Sequence, residues 1–284
     1  MSIKEELLYY LTLFNKKPNR DIGQHFLIQR SILRREVKEA ELEENDSVLD
    51  IGAGLGFLTE LIAEKVKKVY AIEIDDVFVR ILEERLSKHI NEGRIELIHG
   101  DALKIPFPKV TKVVSNPPYH IISSLILKIL REIFPYKDFK LMVLIVQEEF
   151  AYRLLAKPGS KNWGRISAAF RFFASGKIIM KVPKYAFYPI PDVNSIMIKA
   201  WPVRKQHIIS FGEYEKVTAI LFSSPNKKVK SVLKNYLKRS KAPWKKILSL
   251  IPQYILEKRV REVSPEEIEK IGEKIKEFTQ DLQV

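Results

Sequence analysis

The stretch VVSNPPYH at residues 113–120 places an amide, two prolines and an aromatic ring directly after an apolar run. One chemistry that these groups could serve is attack by the exocyclic amine of adenine. This amine is a poor nucleophile because its lone pair is delocalised into the ring, and hydrogen-bond acceptors on its two hydrogens favour the pyramidal form that can attack. The side-chain oxygen of Asn116 and the carbonyl oxygen of Pro117 are candidates for these acceptors, held in place by the consecutive prolines. Tyr119 offers a flat face on which an extruded base can stack. An ordinary turn also uses N-P-P, so the neighbouring strands must decide between the two interpretations.

A glycine-rich turn lies upstream of this stretch. Gly52, Gly54 and Gly56 follow an apolar run in DIGAGLGF and open a segment of helical period. Glycines allow a tight turn and let the backbone approach a ligand closely. A purely structural turn would use the same residues, so the glycines alone are weak support for a binding site.

Acidic residues end the next two predicted strands. Glu73 in AIEID is placed to accept hydrogen bonds from both hydroxyls of a ribose. Asp101, beside Ala102 in GDAL, could accept from the exocyclic amine of an adenine. A solvated acid at a strand end is the alternative for each residue. A dinucleotide site would have G-x-G-x-x-G and a pyrophosphate to hold, so the pattern favours a nucleoside without phosphate, and S-adenosylmethionine fits that description.

Alternating strand and helix patterns between about residues 47 and 150 predict how these residues meet. Short Val- and Ile-rich runs separated by helical segments are typical of a doubly wound α/β domain, with a parallel sheet and crossover helices. Ligands bind such sheets at the carboxyl ends of the strands, where the strand order reverses. The strand that ends at Ser115 is expected beside the first strand, which places NPPY at the mouth of the nucleoside pocket. GKIIMKVP and VNSIMIKAW are expected to extend the sheet.

Both ends of the chain have helical period. MSIKEELLYYLTLFNKK is predicted to form an amphipathic helix and lacks the layout of a secretory signal. Four helical segments and no strand pattern follow Trp201, and Ser264 with Pro265 marks the start of the last one. These segments are FGEYEKVTAILFSS, KKVKSVLKNYLKR, KKILSLIPQYI and SPEEIEKIGEKIKEFTQDL. The sequence therefore predicts a Rossmann-like catalytic domain over residues 1–204 and a small all-helical domain over residues 205–284.

Composition restricts the partner and the compartment. The 284 residues carry a formal charge of +14 and a pI near 9.6, which favours a polyanionic partner, although a lysine-rich surface kept for solubility would look the same. Without cysteine there is no disulfide, thiolate zinc site or thiol nucleophile, and no metal site is predicted. No run of eighteen uncharged apolar residues is present. We therefore expect a cytoplasmic protein that binds no membrane.

Seven segments together resemble one known family. They are DIGQHFL, VLDIGAGLGFLT, AIEID, GDAL, SNPPYHI, QEEFAYRLLAKPGSKNWGRIS and FYPIPDVNS. In this order and spacing, from about residue 20 to the C-terminus, the chain resembles the ribosomal RNA adenine N6,N6-dimethyltransferases of the small subunit, relatives of the erythromycin-resistance methyltransferases. Bacterial members usually have leucine where this chain has Pro117, so it looks like the archaeal or eukaryotic branch. The arginine pair usual near the start of the helical domain is replaced by PNKK at residues 225–228.

The resemblance implies a function and a set of contacts. The function is S-adenosylmethionine-dependent transfer of two methyl groups to each of two adjacent adenines near the 3′ end of 16S ribosomal RNA, in a nearly assembled small subunit. The protein would act as a monomer, with the helical domain recognising RNA or the ribosome. Phe187 of FYPIPDV would form a second aromatic wall opposite Tyr119. The residues that would contact S-adenosylmethionine are His25, Leu27, Gly52, Glu73, Asp101 and Asn116.

Three other functions share parts of this pattern. A DNA adenine N6-methyltransferase also carries NPPY, but normally has a larger target-recognition region than the roughly eighty C-terminal residues here. A protein glutamine methyltransferase uses NPPY because an amide nitrogen poses the same chemical problem; the charge of +14 and Phe187 argue against it. A non-catalytic factor for ribosome assembly or transcription could keep the fold, but the intact Asn116, Tyr119, Glu73 and Asp101 weigh against a loss of chemistry.

Overall fold

A seven-stranded sheet is the largest element of a computed structural model that describes residues 1–19 and 23–278. Its strand order is β4-β3-β2-β5-β6-β9-β7, and a separate two-stranded ribbon pairs β1 with β8. The strands are β1 (Phe26–Leu27), β2 (Ser47–Ile51), β3 (Lys68–Glu73), β4 (Ile95–His99), β5 (Lys112–Ser115), β6 (Leu141–Gln147), β7 (Ala174–Val182), β8 (Phe187–Tyr188) and β9 (Ser195–Pro202).

The sheet is parallel from β4 to β6, and β9 runs antiparallel to β6. The order reverses at β2, which has β3 on one side and β5 on the other. The inner strands are nearly continuous apolar runs; every residue of β6 except its last is buried. Such burial is expected for a strand covered on both faces. The predicted doubly wound α/β sheet is confirmed, including the extension by β7 and β9.

Helices form at the segments of helical period near residues 1–17, 56–66, 76–90 and 123–134, whereas the helices at 30–39 and 148–154 were not predicted. The segment 76–90 is predicted as one helix, but α4 ends at Arg85 and a separate short helix begins at Ser87. Leu86 between them leaves helical geometry, with φ −106° and ψ 15°, and its side chain is buried. These helices are α1 (Ile3–Leu13), α2 (Arg30–Glu39), α3 (Phe57–Ala63), α4 (Asp76–Arg85), α5 (Ser87–Asn91), α6 (Ile122–Glu132) and α7 (Glu148–Leu154).

The ribbon of β1 and β8 was not predicted. It pairs Phe26 with Tyr188 and Leu27 with Phe187 in antiparallel register. Two-residue strands carry almost no periodic signal, so the pattern of the sequence could not identify them. Because of this pairing, the GQHFL and FYPIP segments lie side by side although they are about 160 residues apart in the chain.

The chain divides into two compact units. The first contains Met1–Ala151 and Ser175–Pro202, and the second contains Tyr152–Ala174 and Val203–Val284. The end of the sheet-containing unit, at Pro202, lies within two residues of the predicted boundary at 204. The structure differs from the prediction for residues 152–174, which we expected in the first domain. Their helix packs with the C-terminal helices, where the Tyr214 hydroxyl donates to the Ala168 carbonyl at 3.2 Å.

The regular elements of the second unit after Pro202 are helices over its described residues. The Ser264 hydroxyl caps the last helix by accepting from the Glu267 N–H, and Pro265 occupies the first turn, which confirms the predicted start. The predicted segment KKILSLIPQYI is split into two helices before Pro252, because proline cannot donate the helical hydrogen bond. The helices of the second unit are α8 (Arg165–Phe173), α9 (Phe211–Phe222), α10 (Val229–Arg239), α11 (Trp244–Leu250), α12 (Gln253–Glu257) and α13 (Pro265–Lys276). Residues 279–282 of the last predicted helix lie outside the described residues.

Over residues 1–19 and 23–278, no helix is both long enough and apolar enough to cross a bilayer.

Candidate active site

The glycine-rich turn connects β2 to α3 at the point where the strand order reverses. All three glycines have positive φ, at +75° for Gly52, +58° for Gly54 and +80° for Gly56. A Cβ on Gly52 would lie 2.9 Å from the ring of Pro118, and one on Gly54 would lie 2.9 Å from the ring of Phe26. Glycine is therefore required both by the backbone conformation and by the close approach of neighbouring side chains. The observed close approach is to protein rings, which hold the turn against the NPPY segment and β1.

Glu73 is the last residue of β3, and its side chain stabilises the glycine-rich turn. Its Oε2 accepts the Gly54 N–H at 2.8 Å, and its Oε1 accepts the N–H groups of Ile74 at 2.9 Å and Asp75 at 3.0 Å. The side chain is buried, and burial raises the pKa of the carboxyl above its usual value although the backbone donors oppose that shift. A carboxylate has about four acceptor positions, so the three backbone bonds leave room for one more donor. Hydrogen bonds from both ribose hydroxyls would require the backbone bonds to be shared.

Asp101 and Ala102 follow β4, directly beside the end of β3. The Gly100 N–H donates to the Glu73 carbonyl at 2.9 Å, which fixes this position. The Asp101 Oδ1 accepts the Leu103 N–H at 2.9 Å, so this carboxylate stabilises its own turn. Neither Asp101 nor Ala102 lines the cavity described next, and their predicted contacts with a cofactor remain predictions.

A cavity of about 200 Å³ lies between the glycine turn and NPPY. Ile74 and Phe78 add apolar wall to it. The predicted site residues that line the cavity are His25, Gly52, Gly54, Glu73, Asn116, Pro117, Tyr119 and Phe187. A smaller cavity of about 50 Å³ is lined by Leu27 and Asp50 and shares His25, Gly52, Gly54 and Asn116 with the larger one. Gly56 lines neither cavity and instead serves as the N-cap of α3. The structure thus brings most of the predicted residues together.

Asn116 presents its two side-chain atoms in different environments. The Nδ2 group donates to the Glu36 Oε2 at 3.0 Å. The Oδ1 atom is buried and accepts no hydrogen bond from any described residue. Buried acceptors are almost always paired in native proteins, so an unpaired one in a cavity wall is a candidate for ligand contact. This is the atom that the sequence predicts as an acceptor for the target amine.

The aromatic residues of the site are held by polar contacts. The Tyr119 hydroxyl lies 2.7 Å from the Ser195 Oγ, and burial raises its pKa. The His25 ring stacks on Tyr119, with centroids 5.8 Å apart and planes inclined by 27°. The His25 Nδ1 lies 2.7 Å from the Pro189 carbonyl, which can only accept, so Nδ1 carries the proton. Phe187 is buried in β8, opposite Leu27 in the ribbon.

Two buried acids at the site were not singled out from the sequence. Glu36 of α2 is fully buried, and burial raises its pKa well above the usual value. Asp50 of β2 accepts from the Thr59 hydroxyl at 2.7 Å, and burial raises its pKa to about 7. A signal for both was present: Glu36 lies four residues after the buried Ile32, on the apolar stripe of its helix, and Asp50 interrupts the apolar run VLDI.

The described residues hold no group of three or more His, Asp or Glu side chains arranged to bind a metal ion.

The strand order, the glycine turn after β2 and the acid that ends β3 define a Rossmann-like methyltransferase fold. The profile of the ribosomal RNA adenine dimethylase family matches residues 15–273. The chain therefore belongs to the ribosomal RNA adenine dimethylase family.

Individual relatives agree with this membership. A protein of Pyrococcus furiosus named as a probable ribosomal RNA small subunit methyltransferase A is 38% identical over 280 residues, which cover 96% of this chain and 98% of the relative. One of the same name from Methanosarcina barkeri is 41% identical over 259 residues, covering 89% and 86% of the two chains. The crystal structure of a dimethyladenosine transferase from Plasmodium falciparum has a TM-score of 0.72 and 29% identity, over 86% of this chain and 94% of that one. The family and the fold predicted from the sequence are confirmed, and the two relatives are archaeal.

Proposed function

We propose that this protein transfers methyl groups from S-adenosylmethionine to the N6 atoms of adenines in small-subunit ribosomal RNA. Two methyl groups would go to each of two adjacent adenines near the 3′ end of the RNA, in a nearly assembled subunit. The names of the relatives support the reaction and the RNA. The single observation that carries the proposal is the buried, unpaired Oδ1 of Asn116, a residue that lines the cavity.

The residues around the cavity suit S-adenosylmethionine. Glu73 keeps one acceptor position for a ribose hydroxyl, and the exposed side chain of Ile74, with Phe78, offers an apolar wall to an adenine ring. Asp50 and Glu73 supply carboxyl groups near a ligand that carries a positive sulfonium. When bound, the cofactor would supply an electrophilic methyl group.

The target adenine would be held and activated by the NPPY segment. The His25 ring stacks on Tyr119, and Tyr119 and Phe187 line the same cavity. The part of the Tyr119 ring that His25 does not cover would hold one face of an extruded base, and Phe187 would hold the other. The Asn116 Oδ1 and the Pro117 carbonyl would accept the two hydrogens of N6 and so favour its pyramidal form. Acceptors fixed in a buried site act most strongly where charge develops in the transition state. After the first transfer N6 carries a single hydrogen, so a dimethylated product requires that the methylated base bind again with only one of these two acceptors engaged.

The substrate can be tested by offering four acceptors to the purified protein. Transfer of radiolabelled methyl groups from S-adenosylmethionine would be measured with immature small subunits, naked ribosomal RNA, duplex DNA and a glutamine-containing peptide. We expect dimethyladenine in the small-subunit RNA and no label in DNA or peptide. Label in DNA or peptide, or no label in any acceptor, would contradict the proposal. The monomeric state and the cytoplasmic location remain predictions.

A further inference from the structure

Glu36 is an ionisable side chain in a place where an apolar one would be expected. It lies on the buried stripe of α2 with Ile32 and Leu33, and none of its surface is exposed. Its Oε2 accepts the Asn116 Nδ2 hydrogen at 3.0 Å, and its Oε1 accepts nothing from the described residues. Burying a carboxyl group with one unpaired oxygen costs free energy. The residue is therefore not explained by its contribution to stability.

The hydrogen bond to Glu36 selects one of the two orientations of the Asn116 amide. An amide group turned by 180° exchanges its donor for its acceptor at nearly the same shape. In the observed pairing the Glu36 Oε2 accepts from Nδ2, which directs the Asn116 Oδ1 away from Glu36. In the opposite orientation Nδ2 would face the target amine, and two donors would meet.

We infer that Glu36 is a positioning residue, which keeps the Asn116 Oδ1 directed at the target amine through its hydrogen bond to Nδ2. This inference rests on the proposed function of Asn116. Glu36 touches neither base nor cofactor in this role. Asp50 is the acidic neighbour of Glu36, and a negative charge on its carboxyl raises the pKa of Glu36.

Two variants separate positioning from stability. Glu36→Leu fills the buried site with an apolar side chain and removes the acceptor, whereas Glu36→Gln retains an oxygen that can accept from Nδ2. Because removal of a buried hydrogen-bond partner changes an equilibrium by roughly 5- to 100-fold, we expect Glu36→Leu to lower the single-turnover rate by a similar factor. Glu36→Gln should lower it by about twofold, since its amide satisfies either orientation of Asn116. The melting temperature of Glu36→Leu should equal or exceed that of the wild type.

Glu39→Gln is the matched control, because it makes the same change of charge on the same helix. Glu39 pairs with Arg35 at 2.7 Å and has no contact with Asn116 among those observed. Its rate should equal that of the wild type. A wild-type rate for Glu36→Leu, or equal losses in Glu36→Leu and Glu36→Gln, would overturn the inference. Failure of the wild-type protein to methylate any RNA would instead overturn the proposed function, and the role of Glu36 with it.

A different observation concerns a groove on the first unit, which we call the α2 groove. It has a volume of about 550 Å³ and is lined by Arg30, Arg34 and Lys38 of α2 and by Lys65 after α3, together with two acids. The three cations of α2 are four residues apart, so they follow one face of the helix. All four cationic residues are exposed, and none pairs with an acid within residues 1–19 and 23–278.

The groove has a net positive charge. Of its two acids, Glu41 is paired with Lys199 at 2.7 Å, which leaves Glu64 against four cations. Arg35, which is next to Arg34 but faces elsewhere, is paired with Glu39. Free cations at i, i+4 and i+8 along a groove match the repeated phosphates of a nucleic-acid backbone.

We propose that the α2 groove binds the phosphate backbone of the RNA substrate, away from the base that is methylated. The proposal depends on RNA as the substrate but not on the role of any active-site residue. Neighbouring arginines provide the test, because Arg34→Gln removes a free cation and Arg35→Gln removes a paired one.

Affinity for small-subunit RNA would be measured over a range of KCl concentrations. Each lost phosphate contact should lower the slope of log affinity against log salt by roughly 0.7 to 0.9. We expect this decrease for Arg34→Gln, about twice the decrease for Arg30→Gln/Arg34→Gln, and no change for Arg35→Gln. Unchanged slopes in both groove variants, or equal decreases for Arg34→Gln and Arg35→Gln, would overturn the proposal. Binding of wild-type protein without any salt dependence would contradict RNA recognition as a whole.

Discussion

Replacing Glu73 by alanine should destabilise the sheet-containing unit as well as weaken cofactor binding. Alanine removes the acceptor of three backbone N–H groups, those of Gly54, Ile74 and Asp75. The Gly54 N–H is buried, and a buried donor without a partner costs about 1–3 kcal/mol. The other two are partly buried and can turn to water, at about 0.5–1.5 kcal/mol each.

The sum is a loss of about 2–6 kcal/mol, a large share of the roughly 5–15 kcal/mol that stabilises a typical protein. The effect is reduced to the extent that burial already disfavours the ionised carboxyl, whose pKa is raised. Glu73→Gln should lose less stability, about 1–3 kcal/mol. Its side-chain oxygen can still accept hydrogen bonds from backbone N–H groups on one side, whereas its NH2 group faces a backbone N–H donor on the other.

Urea unfolding followed by circular dichroism would measure these losses, and calorimetric titration with S-adenosylmethionine would follow binding in conditions where each variant is folded. Glu96→Gln is a control with the same change of charge at a more exposed pair, since Glu96 contacts Lys68 at 2.8 Å on the surface of the sheet edge. It should change stability by less than about 0.5 kcal/mol. If Glu73→Ala is as stable as Glu96→Gln and binds cofactor as the wild type does, the role given to Glu73 is wrong.

Three further outcomes are expected. Tyr119→Phe should keep most single-turnover activity, because the ring face holds the base. It should lose about 0.5–1.5 kcal/mol of stability, because the contact of the hydroxyl with Ser195 is removed. If Tyr119→Phe were as inactive as Tyr119→Ala, this role of the ring would be contradicted. Asp50 has a folded pKa of about 7 against a usual 3.8, so the folded state keeps a proton that the unfolded chain releases. The contribution of Asp50 to stability should therefore fall by at most about 4 kcal/mol as pH rises from 4 to 8, and Asp50→Asn should remove this part of the pH dependence of thermal unfolding. In salt titrations of RNA binding, Lys227→Gln and Lys230→Gln should each lower the slope by roughly 0.7 to 0.9, and Lys228→Gln by less, because Lys228 is paired with Glu257 at 2.6 Å.

The parts of the site that follow strand ends were predictable from the sequence. Residues at the carboxyl ends of β2, β3 and β5 must meet once the strands are parallel neighbours, so Gly52, Glu73 and Asn116 could be placed in one cavity from pattern alone. The strand pattern itself is strong because buried parallel strands are nearly continuous apolar runs. These placements follow from backbone geometry, which the periodicity of apolar residues in the sequence indicates.

What could not be predicted depends on contacts between residues far apart in the chain. The ribbon of β1 and β8 is too short to have a period, and the pairing of Asn116 with Glu36 joins a loop to a helix eighty residues earlier. The sequence suggests Glu73 as a ligand for ribose, but in the structure backbone donors occupy most of its acceptor positions. The domain assignment of residues 152–174 differed for the same reason, because the burial partner of an apolar helix is set by tertiary packing.

The most direct test of the account is the single-turnover rate of Asn116→Ala on immature small subunits, at saturating protein and S-adenosylmethionine. The Asn116 Oδ1 is proposed to act on the target amine as it becomes pyramidal, whereas RNA affinity comes mainly from distant phosphates. We expect the rate to fall by roughly 100-fold or more, the usual effect of removing one fixed polar group from a transition-state site, while the affinity for subunits changes less than about threefold. A rate near that of the wild type would contradict the account.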